Sequence, residues 1–248
     1  MKEGIIDEKL LSKNSISQFI LKFDLQTNIE IDFSLIINDL SKHFDRNEKT
    51  IQTNFQVNFT TDKSEINQIE GYNYVLVNDN HRYSLQFSNS QNSIIFNTSN
   101  YIDKSTYSTI ITELIKSANT HKIQLISKRI GMRFVNNFSC NSLKSISKFL
   151  NTTIAKNLAH IGLKEKLSRI VCQEEYNYDD SKVRLQYGIP NRFYPAILKN
   201  YDLLVDIDSY DDTLQENNNW ENIISTLNHS AYNTFINTIN QNLLTTLK

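Results

Sequence analysis

The sequence predicts an α+β fold, a curved antiparallel sheet packed on long helices. Three observations carry that expectation. Several stretches alternate apolar and polar residues with a period of two, as half-buried strands do. Others place apolar residues every three or four positions, as amphipathic helices do. Between residues 72 and 98 the strand-like stretches are separated only by short Asn, Asp and Ser turns, which reads as a meander.

The elements follow in chain order. Phe19, Leu21, Phe23 and Leu25 mark a first strand, and Asp32 caps a helix carrying Leu35, Ile36, Leu40 and Phe44. Phe55, Val57 and Phe59 share one face of the next strand. The meander then runs through Tyr72–Val77, Tyr83–Phe87 and Ser93–Thr98, turning at Asn78-Asp79-Asn80 and at Asn89-Ser90-Gln91-Asn92. These turn residues tolerate positive φ and bond their own backbone. Asp103 or Ser105 caps a helix with Tyr107, Ile110, Ile111, Leu114 and Ala118 on one stripe. A strand from Ile123 to Phe138 follows. Leu143, Ile146, Phe149, Leu150, Ile154 and Leu158 predict one helix, with Gly162 at its C-terminal cap. Strands are expected near Leu167–Tyr178, Val183–Gly188 and Asp202–Asp208. A final helix from Trp220 to Leu247, if unbroken, would be about 42 Å long at 1.5 Å per residue, so it must bend or lie along a shared sheet.

The chain divides into a half spanning 1–138 and a half spanning 139–248, whose similar themes suggest two degenerate repeats. No composition shift marks a linker between them, so one compact unit is expected. With 26 basic and 27 acidic residues, no net field draws the molecule to nucleic acid or an anionic membrane. The first residues contain no apolar signal core, and no run approaches the ~18 apolar residues that span a bilayer. Two cysteines, Cys140 and Cys172, are too few for a disulfide framework and lack metal-ligand spacing. A cytoplasmic protein without cofactor or membrane association is expected. Five glycines and two prolines argue against phosphate-cradling loops. The abundance of Asn, Ile, Lys and Ser resembles the coding bias of an AT-rich bacterial genome.

Two strand stretches hold the candidate chemistry. In Lys128–Asn137, Ile130, Met132 and Phe134 take one face while Arg129, Gly131 and Arg133 take the other. In Leu203–Asp208, Asp206 and Asp208 share a face. Arginine forks suit carboxylates and phosphates alike, so Arg129 and Arg133 read either as half of a cross-strand ion-pair ladder or as an anion site. Asp206 and Asp208, with Asp211 and Asp212, alternatively begin a Mg²⁺ site, to which a nuclease would add a lysine and Glu174 or Glu175. No Glu-x-Lys strand motif follows these aspartates. His43, His81, His121, His160 and His229 include no i, i+4 pair. No serine sits in a Gly-x-Ser-x-Gly elbow, and no local group activates Cys172. Tyr176, Tyr178, Phe193 and Tyr194 flank the loop with Pro190 and Pro195, and predict an aromatic partner-contact patch.

Ser93–Thr98, Tyr101, Arg129–Asn136, Leu203–Asp208, His229 and Phe235, in this order, resemble the motifs of a sporadically distributed bacterial family of similar length. The resemblance extends from about Tyr83 onward; Phe134 stands where that family usually has Tyr. It implies a shared α+β scaffold. The family has no assigned activity, so no catalytic role transfers, and its patchy occurrence implies mobile or defence-associated genes. Together these observations predict a non-catalytic interaction module, a sensor, adaptor or neutraliser with a protein partner. Two alternatives stay open. A concave apolar cavity with Arg129 and Arg133 at its mouth would indicate a helix-grip ligand- or nucleotide-binding protein, and Mg²⁺ at Asp206 and Asp208 a metal-dependent nuclease.

Overall fold

The computed structural model describes residues 15–26, 31–59, 64–140, 146, 148–162, 167–191, 194–195, 201–241 and 243. Among the described residues, ten strands form one antiparallel sheet that does not close, and helices cover one of its faces. The strands are β1 (Ile16–Leu25), β2 (Arg46–Phe59), β3 (Ser64–Asn78), β4 (Tyr83–Ser88), β5 (Ser93–Thr98), β6 (Ile126–Cys140), β7 (Ile170–Asn177), β8 (Lys182–Ile189), β9 (Tyr201–Asp211) and β10 (Gln215–Glu216). Their order is β2-β3-β4-β5-β1-β6-β9-β8-β7, with β10 on β6. The expected meander is β3–β4–β5.

Period-two alternation places β1 in the middle. Phe19, Leu21, Phe23 and Leu25 are fully buried on the helix face, and so are Ile130 and Met132 of β6 and Leu203 and Val205 of β9. The helices are α1 (Ser34–Leu40), α2 (Ser105–Thr120), α3 (Thr152–Gly162) and α4 (Trp220–Thr238). Tyr107 of α2 stacks on Phe19 with centroids 5.1 Å apart, and Trp220 of α4 stacks on Phe23 at 4.2 Å. Asp32 accepts a 2.9 Å bond from the Ser34 amide at the start of α1, and Asp103 one of 2.8 Å from Ser105 at the start of α2. In α1 the buried residues are Ile36, Ile37 and Leu40, while Leu35 is exposed. In the β3–β4 turn the positive φ falls on Arg82, at 56°, rather than on an asparagine; in the β4–β5 turn it falls on Asn92, at 46°.

Two helix expectations are corrected. The helix expected to continue from Trp220 to Leu247 ends at Thr238, after 19 residues or about 28 Å. Ile239 is extended and forms an antiparallel bridge with Leu150. The same bridge breaks the helix expected across residues 143–158. Asn151 donates its amide to the Thr238 carbonyl at 2.8 Å, then accepts from the Ile154 amide at 2.9 Å and so starts α3. The expected repetition of halves finds no match either. Among the described strands, β1–β6 come from the first half and β7–β10 from the second, and β6 joins the halves by pairing with both β1 and β9.

Candidate functional site

The face of the sheet opposite the helices carries the charged residues. Met132 and Phe134 face the helices, so Arg129, Gly131 and Arg133 face away, beside Asp206 and Asp208 on β9 and Arg184 on β8. Strands β6 and β9 are antiparallel neighbours, with Arg133 directly opposite Asp208. The side chains nevertheless pair diagonally. Arg133 donates from Nε to Asp206 Oδ1 at 2.9 Å and from Nη2 to Oδ2 at 2.6 Å, a bidentate fork. Asp206 is only 4 % exposed beneath it. Donation to this carboxylate holds the Arg133 guanidinium above its ordinary pKa.

Asp208 is shared. Arg129 Nη2 donates to its Oδ2 at 3.1 Å, and Arg184 Nη2 donates to the same oxygen at 2.6 Å. Arg129 reaches Asp208 by lying along its own strand, across Gly131, with its guanidinium carbon 4.5 Å from the centre of the Tyr210 ring. A Cβ at Gly131 would stand 2.9 Å from Arg129 Nη1, so a larger residue there would have to displace the guanidinium end of Arg129. On the other side of β6, Asp24 of β1 lies 3.9 Å from Arg129 and 2.7 Å from Lys22. The network therefore crosses four adjacent strands, β1, β6, β9 and β8. Asp24, Arg184 and Tyr210 were not singled out in the sequence; the alternation of Lys182, Arg184 and Gln186 was the available signal.

Chemically this is a satisfied ladder. Both candidate metal-binding carboxylates are occupied by guanidiniums, and both candidate anion-binding arginines by carboxylates. Among the described residues, no group of three or more His, Cys, Asp or Glu side chains could hold a metal ion. A shallow hollow of about 200 Å³ is lined by Arg133, Arg184, Gln186, Asp206 and Asp208. Among the described residues, one apolar cleft lies on the opposite, helix-covered face, between Tyr101, Phe134, Ile207, Ala231 and Phe235. At about 80 Å³ it is far below the ~300–1,000 Å³ of small-molecule sites, and the arginines are not at its mouth.

The expected aromatic patch is divided. Tyr176 and Tyr178 stack with centroids 6.4 Å apart at the turn end of the β7–β8 hairpin, 38 % and 50 % exposed. Tyr194 is 60 % exposed, but it follows Asn191, whose side chain bonds the Ser168 carbonyl at 2.8 Å. That places Tyr194 at the opposite end of the hairpin, because antiparallel pairing sets Ile170 against Ile189 and Asn177 against Lys182. Phe193 lies outside the described residues. Glu174 organises the tyrosines that remain together. It accepts from Tyr187 at 2.7 Å and also from Tyr176, and its carboxylate holds the Tyr176 hydroxyl up to a pKa of about 12. Burial first, then Glu174, raises Tyr187. Burial likewise raises the Cys172 thiol, away from nucleophilic thiolate character.

His229, on α4, bonds Asn233 one turn along the same helix at 2.8 Å. His121 bonds Asp39 at 2.9 Å, and Ser117 bonds the same carboxylate oxygen at 2.7 Å, which ties α2 to α1. The serine and histidine thus share one acceptor instead of forming a relay. Among the described residues no helix is long and apolar enough to cross a membrane. The chain matches no protein-family model, no curated protein and no solved structure.

Proposed function

We propose that the protein is a non-catalytic interaction module that contacts a protein partner through the Tyr176–Tyr178 end of the β7–β8 hairpin. One observation carries the reading: two tyrosines stack on each other in solvent at the margin of the sheet, with Tyr176 fixed by its bond to Glu174. Rigid, exposed aromatics supply contact area at little entropic cost, and such residues anchor interfaces. The charged constellation, by contrast, is consumed internally, which supports a structural role for Arg129, Arg133, Asp206 and Asp208. A module of this kind acts as sensor, adaptor or neutraliser within a larger assembly.

The test is site-specific photo-crosslinking in the source cells. A benzophenone amino acid at Tyr178 should yield a discrete protein adduct, and the same probe at exposed Leu214 should not. Purified protein should meanwhile leave nucleic acids and nucleotides intact with Mg²⁺ or Mn²⁺. Turnover abolished by Asp206→Asn or Asp208→Asn, with no adduct at Tyr178, would replace this reading with metal-dependent hydrolysis.

A further inference from the structure

Resting on the proposed partner contact, we infer that β7 is a docking edge that accepts an extended, basic polypeptide segment as an added strand. β7 is the last strand on its side of the sheet, and among the described residues it pairs only with β8. Its register with β8 is unbroken from Ile170 opposite Ile189 to Asn177 opposite Lys182, so no bulge twists the edge away. Its sequence, Ile-Val-Cys-Gln-Glu-Glu-Tyr-Asn, contains no Lys, Arg or Pro; its charges are Glu174 and Glu175, which guard the edge against acidic or like strands and leave it open to a basic one. The strand at the other margin, β2, carries Arg46 and Lys49. Such an edge offers a row of main-chain donors and acceptors to an incoming strand.

The side chains along this edge define the occupant. Exposed Val171 and Tyr176 lie on opposite faces of β7, so an added strand meets an apolar contact on each side. Glu174 and Glu175, also on opposite faces, are followed by exposed Asp179 and Asp180. Across residues 169–181 these four acids are set against one cation, Arg169. Of the next strand's cations, Lys182 is held by Asp212 at 2.6 Å, and Arg184, opposite Glu175, is bonded to Asp208 at 2.6 Å, so they offset the four acids only in part. The edge is therefore anionic. It favours Lys or Arg on the incoming strand, and the stacked tyrosines add cation–π faces for them. A second copy is disfavoured, since β7 paired with itself sets Glu174 and Glu175 near their own copies. Nucleic acid is disfavoured by the same charge.

The experiment uses the isotope-labelled full chain and two capped octapeptides, one alternating Val with Lys and one alternating Val with Glu. The Val-Lys peptide should bind at least about tenfold more tightly than the Val-Glu peptide, less so at high salt. It should slow hydrogen exchange at outward-facing β7 amides. Gln173→Lys, which blunts the edge with a charge, and Gln173→Pro, which removes a donor, should each weaken binding about tenfold or more without lowering the melting temperature by more than a few degrees. Equal binding of the two peptides, unchanged β7 exchange, or sedimentation as a β7-dependent dimer overturns the inference. If strand addition fails while the Tyr178 adduct forms, partner contact stands and only its mode is wrong; if both fail, the proposed function falls with it.

Discussion

Arg133→Ala separates a structural ladder from a binding site by magnitude. Arg133 forks onto Asp206 through bonds of 2.9 and 2.6 Å, and the aspartate is 4 % exposed while the arginine side chain is 46 % exposed. A fully buried pair loses ~3–5 kcal/mol when one partner is removed, whereas an exposed pair contributes ~0–1 kcal/mol. Truncating a half-exposed arginine admits water to Asp206, so the loss should fall between these limits, at about 2 kcal/mol. For a chain of this size that lowers the melting temperature by roughly 4–8 °C. Urea unfolding of the parent, Arg133→Ala, Asp206→Ala and the double variant isolates the pair, and the coupling should be ~1–2 kcal/mol. Losses that add to within ~0.5 kcal/mol would refute the ladder, because uncoupled sites add to that degree.

Three further outcomes follow from the same geometry. Gly131→Ala should displace the Arg129 guanidinium from Tyr210, seen directly in a crystal structure of the variant; a guanidinium left in place would mean that Arg129 does not lie across the glycine. The Ser117 hydroxyl, then His121, holds Asp39 below its ordinary pKa of 3.8, so folding favours its ionised form and this stability is lost as pH falls through the lowered value. The melting-temperature gap between the parent and Asp39→Asn should accordingly be present near about pH 6 and close toward about pH 2; a gap independent of pH would contradict this. Tyr176, raised to a pKa of about 12, should remain protonated well past an ordinary tyrosine, and Tyr176→Phe should remove one late-titrating phenol from the alkaline absorbance curve.

The legible parts of this molecule were those decided locally. Alternation in β1 and β6 is strong because one face is fully buried, so Phe19–Leu25 and Ile130–Phe134 declare both the strand and its inner side. The same alternation put Arg129 and Arg133 on a common face and matched them with Asp206 and Asp208. Which arginine meets which aspartate was not legible. The direct register sets Arg133 against Asp208, yet long side chains reach diagonal neighbours, and Arg184 competes for Asp208. Asp24 and Arg184 enter the network only because β1 and β8 flank the β6–β9 pair, a consequence of strand order. The helix breaks at Leu150 and Ile239 have a similar origin, since neither site carries a glycine or proline and each is broken by the other. Hairpin geometry separates three of the expected aromatics: Tyr176 and Tyr178 lie at one end of β7 and β8 and Tyr194 at the other.

The central claim is that the charged face holds the sheet together while the protein works by contact at the β7–β8 margin. Its most direct measurement compares Arg133→Ala with the double variant Tyr176→Ala/Tyr178→Ala, scoring melting temperature and adduct yield per folded molecule from a photo-crosslinker at Asn177. The arginine variant should lose stability and keep the adduct, and the tyrosine variant should keep its stability and lose the adduct. The reverse pattern, a lost adduct with Arg133→Ala at unchanged stability, would make the charged face the functional surface and contradict the account.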